Sequence, residues 1–334
     1  MIRPTYVSWS PHCSRSDNTA RELGGTSHMV YWPSFGSNIL TVWLKYIAQA
    51  VSTFRILSAD RPEVVFVMTP PLPAVASVWL WCCLHRVPFV VDGHTGAFLH
   101  PNWIHFQWLQ NAFCRRAVTT IVTNDHLAQL LRQAGVDVTI VRDVPVEYRE
   151  TDAFRPEGAF CVAVVCSFNE DEPVAEILEA ATSLPEVHFY LTGDSHRMTP
   201  SLAAKVPANV TLTGFLTTDQ YGSLLTNAHA VMALTTRDHT MLRGAYEAVY
   251  QGTPIIVSDW PLLKDSFSRG AIHVGSSAAA ISDGIRQLRE NQTHYKTEVL
   301  LLRNEKRAAW ERAKQALVGA VHRAIDRRRR ATHS

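Results

Sequence analysis

The sequence carries little net charge and has no cysteine arrangement typical of metal or redox sites. Its 32 Lys and Arg residues against 30 Asp and Glu residues give a formal net charge of +2, which does not favour nucleic acid as the main partner. The six cysteines form no C-x-x-C pair and no cluster with histidine at zinc-binding spacing. We therefore expect free thiols in a reducing, cytoplasmic compartment, with no metal site.

Long apolar runs and nucleotide-binding glycine motifs are missing as well. Residues 1–10 lack the apolar core that a signal peptide would need. The most apolar stretch, Leu72 to Val91, is interrupted by His85, Arg86 and Pro88, so it predicts a buried helix and a buried strand rather than a membrane span. The chain has no G-x-G-x-x-G motif, which argues against a nicotinamide-dependent dehydrogenase.

What the chain does contain is a regular alternation of apolar, strand-like runs with amphipathic helical stretches. Apolar residues make up 46% of it and charged residues 19%, as in globular proteins. The alternation is the pattern of parallel sheets built from βαβ units, and the length suits about two domains. We predict an α/β protein of two doubly wound, Rossmann-like domains that face each other across a cleft, the default place for a ligand.

A polar, proline-containing stretch near the middle of the chain sets the domain boundaries. We predict an N-terminal domain at 1–145, a linker at 146–158, a C-terminal domain at 159–294, and a final helix with a basic tail at 295–334.

One helix of the N-terminal domain is predicted with particular clarity. Between Asn38 and Leu57, apolar residues recur every three or four positions, and Asn38 is suited to cap the helix. The recurring residues are Ile39, Trp43, Tyr46, Ile47, Ala50, Phe54 and Leu57.

The stretch from Ala230 to Pro261 holds the strongest candidate site. It predicts a buried strand, a polar loop and a helix that Gly244 opens. The first turn of such a helix offers backbone N–H groups and a positive dipole end, which suit a diphosphate. Arg243 would add a bidentate contact to phosphate oxygens, and Glu247, one turn further, would accept hydrogen bonds from the vicinal hydroxyls of a ribose. From spacing alone, a plain αβ unit with surface charges remains the alternative.

This stretch resembles the nucleotide-sugar site of the GT-B glycosyltransferases, especially the family-4-like group. That group has a first glutamate, seven residues, a second glutamate and then A-x-x-x-G-x-P. Two further segments resemble the same group, Tyr190–Asp194 (YLTGD) and Asn209–Leu216 (NVTLTGFL). The resemblance implies a nucleotide-sugar donor bound to the C-terminal domain, no cofactor, and departure of the diphosphate without a metal ion. The matching positions are Glu247, Ala248, Gly252 and Pro254.

The chain departs from this group at two places. His239, with Asp238 beside it, stands where the first glutamate is expected, and we predict a catalytic role for His239 and donor contacts for Asp238. The usual Arg and Lys after the first strand of the domain are replaced by the acidic turn Ser167–Pro173, which resembles the S-W-T-x-D-E-D segment of chitobiosyl-diphosphodolichol β-mannosyltransferases. Ser167 and Asn169 are then predicted to contact the donor.

Segments of the N-terminal half resemble the same mannosyltransferases. Met68–Pro73 resembles their N-P-P segment, the residues around Asp92 and His94 (VDGH) resemble I-D-W-H, and Ser14–Ser16 (SRS) resembles G-R-S. The resemblance implies catalytic roles for His94 and Asp92. It also places Ser14, Arg15 and Ser16 on the acceptor or phosphate side. His94 can equally be a strand-end histidine that only binds its own loop.

The resemblance implies a glycosyltransferase that moves a sugar from a nucleotide sugar to a saccharide, or to an acceptor linked to polyprenyl diphosphate, in surface polysaccharide or glycan assembly. An epimerase with the GT-B fold or a non-catalytic GT-B protein is the alternative. The donor base, the sugar, the acceptor and the retaining or inverting outcome stay open.

Basic and aromatic residues raise the question of a membrane. From Leu301 to Ser334 there are ten Lys or Arg and three Asp or Glu residues, with four consecutive arginines at 327–330. The segment Asn102–Arg116 combines aromatic residues with two terminal arginines, and Trp79 and Trp81 lie on a predicted helix. Either these are a solvated tail and core-facing helices, or they contact an anionic membrane surface from the cytoplasmic side.

Overall fold

The computed structural model describes residues 3–33, 41–99, 101–149 and 151–331. These residues form two α/β units. The first unit contains the chain up to Val144 together with the chain from Ala309 onward, and the second contains Pro145–Ala308. The predicted final segment 295–334 is thus divided between the two units.

The first unit is built on a parallel sheet. In the described residues it has six strands in the order β2-β1-β3-β4-β5-β6. The strands are β1 (Pro4–Ser8), β2 (Thr26–Met29), β3 (Val64–Thr69), β4 (Phe89–Gly93), β5 (Thr120–Val122) and β6 (Val138–Ile140). The helices are α1 (Ser14–Glu22), α2 (Val42–Asp60), α3 (Leu72–His85), α4 (Thr95–Leu99), α5 (Pro101–Ile104), α6 (Gln107–Cys114) and α7 (Asp125–Gln133).

Alternating side chains of this sheet pack into two separate cores, since successive residues of a strand point to opposite faces. On one face, residues such as Val65 and Val91 pack with α2, α3, α6 and α7. On the other face, Tyr6 and Phe66 pack with the C-terminal part of the chain. Both faces are covered, which explains why the central strands are apolar throughout.

Helix α2 differs in part from the prediction. It begins at Val42 and ends at Asp60, where Arg61 adopts a left-handed conformation with φ of 47°. The predicted cap Asn38 lies outside the described residues. Tyr46 and Phe54 pack against the core as amphipathicity implies, whereas Trp43 and Ile47 are exposed.

The C-terminal helix α14 (Gln292–Ala331) contributes to both units. Val299 and Leu302 are buried in a core of the second unit. Trp310, Leu317 and Val321 are buried in the first unit, against Tyr6 and its neighbours. The helix is therefore a structural element up to Val321, and the four arginines 327–330 beyond it are exposed. None of the described helices has the length and apolarity to cross a bilayer.

The second unit is also built on a parallel sheet, which the structure describes with six strands in the order β12-β11-β10-β7-β8-β9. The strands are β7 (Cys161–Val164), β8 (His188–Thr192), β9 (Val210–Gly214), β10 (Ala230–Ala233), β11 (Ile255–Ser258) and β12 (Ala271–Val274). The helices are α8 (Val174–Thr182), α9 (Pro200–Ala203), α10 (Thr218–Asn227), α11 (Arg243–Gln251), α12 (Pro261–Ser266) and α13 (Ala278–Glu290).

The strand order of the second unit has a topological switch point between β7 and β10. From β7 the chain runs outward through β8 and β9, then returns to β10 on the other side of β7. The connections after β7 and after β10 therefore leave in opposite directions and open a crevice at the carboxyl ends of these two strands. In open α/β sheets this crevice is where ligands bind.

Trp310→Ala tests whether the C-terminal helix stabilises the first unit. Trp310 is 3% exposed, and its indole N–H donates to Glu22 at 3.1 Å. Deleting the ring leaves a cavity, so we expect the free energy of unfolding to fall by about 3–5 kcal/mol in urea denaturation. Arg312→Ala, on the exposed side of the same helix, is the control, and equal stability of the two variants would contradict this role.

Candidate functional site

Helix α11 begins at Arg243, after β10 and a polar loop, where the stretch from Ala230 to Pro261 predicted a helix. Its N-cap is Leu242, in extended conformation. A leucine side chain has no acceptor atom for the N–H groups of the first turn. The helix thus presents the kind of end that binds anions, with first-turn donors and a positive dipole.

Gly244 allows this helix end to touch the sheet. A Cβ atom at position 244 would lie 2.6 Å from Cγ1 of Val165, the residue that follows β7. Gly193 does the same at the end of β8, where a Cβ would lie 2.2 Å from the carbonyl oxygen of Cys166. These two contacts hold the helix end and the loop after β8 against the chain that leaves β7.

A pocket of about 230 Å³ lies at this point, and we call it the switch-point pocket. It brings together four of the predicted donor-site residues: Ser167, Asn169, Arg243 and Gly244. It lies at the carboxyl ends of β7 and β10, as the strand order requires. The residues that line it are Val165, Cys166, Ser167, Asn169, Asp171, Glu172, Ala233, Leu234, Thr235, Thr240, Met241, Leu242, Arg243 and Gly244.

Glu247 is held by two neighbours. It is 5% exposed, and its Oε1 accepts a hydrogen bond from Nε of Arg243 at 3.1 Å. Its Oε2 accepts from the hydroxyl of Tyr221 at 2.7 Å. Burial, together with the charge of Glu247, raises the pKa of Tyr221 well above its usual value, so Tyr221 stays protonated and donates. The prediction missed Tyr221, because it lies on α10, and only tertiary packing brings it to Glu247.

The acidic turn after β7 is bound internally. The Glu172 carboxylate accepts from the backbone N–H groups of Ser167, at 3.0 and 2.9 Å, and of Asn169, at 2.8 Å. Asp171 accepts from the hydroxyl of Thr235 at 2.9 Å. The two carboxylates therefore shape the pocket wall and tie the loop after β7 to the end of β10. Their charge also makes Arg243, the one basic side chain among the described lining residues, important for any anionic ligand.

Asp238 and His239 lie on the exposed loop before α11. Asp238 accepts from the backbone N–H of His239 at 2.6 Å, and Nε2 of His239 lies 3.8 Å from Oδ2 of Asp238. His239 adopts φ of 57°. Neither is among the described residues that line the switch-point pocket, so their roles stay predictions.

A second set of predicted residues meets in the first unit around Asp92, which is 1% exposed. The Tyr6 hydroxyl donates to Asp92, and Nε of Arg15 lies 3.2 Å from its Oδ2. Arg15 also donates to the carbonyl of Val141 at 3.0 Å. Although burial opposes ionisation, the positive charge of Arg15 and these hydrogen bonds hold the pKa of Asp92 below its usual value of 3.8.

His94 lies beside this ion pair at the end of β4. Its Nε2 is 3.9 Å from Oδ2 of Asp92, and a third of the side chain is exposed. Burial lowers the pKa of His94, an effect that Asp92 opposes and the charge of Arg15 reinforces. The ring is therefore neutral at neutral pH, with one nitrogen able to donate and one able to accept a hydrogen bond.

Ser14, Arg15 and Ser16 occupy different environments at the start of α1. Ser14 is exposed, whereas Arg15 and Ser16 are buried. Ser16 accepts from the hydroxyl of Ser8 at 2.7 Å and donates to Sγ of Cys13 at 3.0 Å. Arg15 and Ser16 thus bind groups of their own unit, and Ser14 alone of the three presents its side chain outward. Contact of these residues with an acceptor or phosphate stays a prediction.

The described residues contain no group of three or more His, Cys, Asp or Glu side chains that could hold a metal ion.

Two family models match the chain. Residues 12–165 match the glycosyl transferase 4-like domain, and residues 150–315 match glycosyl transferases group 1. Together they span nearly all of the described chain. No curated protein sequence matches significantly.

Solved structures share the whole fold at low sequence identity. Sucrose-phosphate synthase from Thermosynechococcus elongatus superposes with a TM-score of 0.71 and 12% identity, over 97% of this chain and 99% of that one. Anabaena HepE, in complex with UDP and glucose, gives 0.70 and 12%, over 96% and 100%. UDP-GlcNAc 2-epimerase from Neisseria meningitidis, bound to UDP-GlcNAc, gives 0.62 and 13%, over 97% and 100%.

Two α/β units with parallel sheets and this likeness define a protein of the GT-B fold, so the predicted α/β class with two doubly wound sheets is confirmed. The two sequence models add the family. The chain belongs to the glycosyltransferases of the 4-like and group 1 families, as its resemblance implied. Similarity to the chitobiosyl-diphosphodolichol mannosyltransferases stays a prediction.

Gly244→Ala tests the contact between α11 and β7. The new methyl group must displace Val165 or the helix end, so we expect the free energy of unfolding to fall by about 1–3 kcal/mol in urea denaturation. Gly96→Ala is the matched control, because a Cβ there meets no described atom within 4 Å. Equal stability of the two variants would show that the helix end does not depend on close approach.

Asp92→Asn tests the buried ion pair. Removing the charge leaves Arg15 unpaired in the interior, so we expect a loss of about 3–5 kcal/mol near neutral pH. A carboxylate with a lowered pKa stabilises the fold above its unfolded pKa, near 4, and this contribution disappears as the pH falls further. The wild type should therefore lose stability more steeply than the variant when urea unfolding is followed downward from pH 6.

Asp283→Asn is the control for this pair, because Asp283 and Arg286 form an ion pair with largely exposed side chains. We expect a change of at most about 1 kcal/mol there. Parallel pH profiles for the wild type and Asp92→Asn would exclude the proposed ionisation of Asp92.

Proposed function

We propose that the protein transfers a sugar from a nucleotide-sugar donor to an acceptor, with the donor diphosphate bound in the switch-point pocket. One observation carries the proposal. The first turn of α11, Arg243 and the loop after β7 converge on a pocket at the point where ligands bind in doubly wound sheets. Membership of a glycosyltransferase family and solved GT-B structures with bound UDP or UDP-sugars support it.

The diphosphate is neutralised mainly by the helix. N–H groups and the dipole of α11 favour negative charge at Gly244, and the guanidinium of Arg243 adds charge-assisted hydrogen bonds. The acidic side chains Asp171 and Glu172 already accept hydrogen bonds from the protein, which limits their repulsion of a diphosphate. Stabilising the departing diphosphate in this way requires no metal ion.

Glu247 is the proposed acceptor for the ribose hydroxyls. A carboxylate offers about four lone-pair positions. Arg243 and Tyr221 each occupy one, which leaves capacity for two hydroxyl donors. Because both protein partners fix the carboxylate, little conformational entropy is lost when a ribose binds.

His94 is the proposed contact to the transferred sugar. Its neutral ring suits a hydrogen bond with a sugar hydroxyl rather than charge stabilisation. Asp92 is then proposed as a positioning residue, because its Oδ2 lies 3.9 Å from Nε2 of His94 and its side chain is only 1% exposed. His239, on the exposed loop before α11, keeps its proposed catalytic role.

The acceptor is proposed to be a saccharide linked to polyprenyl diphosphate, in surface polysaccharide or glycan assembly at the cytoplasmic face of a membrane. The resemblance of the acidic turn and of the N-terminal segments to mannosyltransferases supports this choice. An epimerase acting on a nucleotide sugar is the alternative. Nuclear magnetic resonance of the donor incubated without acceptor distinguishes the two, because only an epimerase forms an epimeric nucleotide sugar, whereas a transferase at most hydrolyses the donor.

The test measures donor binding by thermal shift with UDP-, GDP-, ADP- and TDP-sugars. A ligand at 100 times its Kd stabilises the protein by about 2.7 kcal/mol, which raises Tm by roughly 5–10 °C for a unit of this size. Glu247→Gln removes the charge but keeps the shape, and we expect about tenfold weaker donor binding. Transfer to acceptor should fall at least as much.

Two variants control this experiment. Glu179→Ala, on the exposed side of α8, should keep full affinity. Tyr221→Phe keeps the carboxylate and should weaken binding less than Glu247→Gln. A wild type that no nucleotide sugar stabilises, or unchanged affinity in Glu247→Gln, would refute the assignment.

A further inference from the structure

Exposed large apolar side chains are concentrated in the first unit. In the second unit the described residues with such exposure are Phe215, Leu300 and Leu301. In the first unit they include a set on α2, α3 and the region of α6. Single exposed apolar residues are ordinary, but a set on neighbouring helices marks an interaction site.

Helix α2 carries the most regular part of this set. Trp43 and Ile47 are 68% and 61% exposed, and Leu44 and Val51 are also exposed. These four residues are separated by one, three and four positions, which places them on one side of the helix, over a length of about 12 Å. The opposite side, with Gln49, Thr53 and Leu57, is the buried one. Between Trp43 and Val51 the solvent side of the helix is thus apolar, where a surface helix is normally polar.

Neighbouring helices extend this surface. Helix α3 contacts both α2 and α6, and all three pack on the same face of the sheet. Their outward sides therefore point away from the sheet in the same direction. Exposed Leu84 lies on α3, and exposed Trp108, 69% exposed, lies on α6. We call the exposed residues Trp43, Leu44, Ile47, Val51, Leu80, Leu84, Phe106 and Trp108 the helical apolar face.

The charged residues on and next to these helices are mostly basic. Asp60 is the only acidic residue of α2, α3 and α6, and it is paired with His28 at 2.8 Å. Exposed Arg55 continues the four-residue spacing of Ile47 and Val51, and Arg115 and Arg116 follow α6 directly. Apolar and aromatic side chains bordered by arginine complement a lipid surface with anionic headgroups.

The predicted membrane contacts coincide with this face only at the segment Asn102–Arg116, which holds Phe106 and Trp108. Trp81 is buried and donates to the hydroxyl of Ser58 at 3.1 Å, and Trp79 packs against Phe113. In the basic tail, Arg329 lies 3.6 Å from a carboxylate oxygen of Glu63. These groups contact other parts of the protein. The solvent side of α2 is therefore the main candidate for contact with a membrane.

We propose that the helical apolar face docks on an anionic lipid bilayer, with Trp43, Leu44, Ile47 and Val51 inserted at the level of the headgroups. The inference rests on the proposed function, because docking on a bilayer would bring the protein to an acceptor that is linked to lipid. Binding itself can be measured without donor or acceptor.

The experiment is co-sedimentation of the full chain with phosphatidylglycerol-containing vesicles, followed by Trp fluorescence with lipid-attached quenchers. We expect binding that weakens with salt and falls sharply on phosphatidylcholine vesicles. The double variant Trp43→Ser/Ile47→Ser should reduce the partition coefficient at least about tenfold. The control Phe215→Ser removes the most exposed apolar side chain of the second unit, 84% exposed, and should bind as the wild type does.

Three results would overturn the proposal: no binding of the wild type, equal binding of the double variant, or a dimer in size-exclusion chromatography that the double variant abolishes, since the face would then bind a second copy. The Tm shift with donor, measured on the same samples, reports the switch-point pocket separately. Vesicle binding without a donor shift would refute the proposed function alone, and a donor shift without vesicle binding would refute this inference alone.

Discussion

The close approach of α11 to the end of β7 is the contact on which the rest of the candidate site depends. With no side chain at position 244, the helix end comes against Val165, so that Arg243 and Gly244 of its first turn line the switch-point pocket at the ends of β7 and β10. Arg243 and Glu247 follow on the same helix and are placed by it. The pocket is thus a consequence of strand order and of one missing methyl group.

The acidic side chains at the two candidate sites accept hydrogen bonds from protein groups. These partners decide whether each carboxylate can also bind a ligand. Glu172 and Asp171 lie in the pocket wall, yet they bind backbone amides and a threonine hydroxyl. Asp92 is ionised because Arg15 and Tyr6 surround it. Glu247 keeps acceptor capacity although two donors hold it. The sequence pointed to these acidic residues. Their partners in the structure give Asp171, Glu172 and Asp92 structural roles and leave Glu247 able to bind a ligand.

The two units divide their surfaces differently. Among the described residues of the second unit, the exposed large apolar side chains are Phe215, Leu300 and Leu301, and its candidate pocket lies at the carboxyl ends of β7 and β10. The first unit covers both faces of its sheet as well, with α14 closing one of them through Trp310, but the outer layer of helices on the other face keeps apolar residues in solvent. One core can bury only one side of a helix, so a helix with apolar residues on two sides leaves some of them in solvent. Contact with lipid would remove these residues from water.

Local patterns in the sequence were sufficient for the α/β class, for two doubly wound sheets and for the start of α11, because hydrophobic period and helix-end chemistry act over a few residues. They also gathered Ser167, Asn169, Arg243 and Gly244, since all follow strands whose carboxyl ends meet. Apolar recurrence could not say which side of α2 is buried, because Trp43 and Tyr46 satisfy the same spacing. Tertiary structure alone decided three features, because each joins groups that are far apart in the chain. They are the contact of Tyr221 with Glu247, the burial of Arg15 against Asp92, and the contribution of α14 to both units.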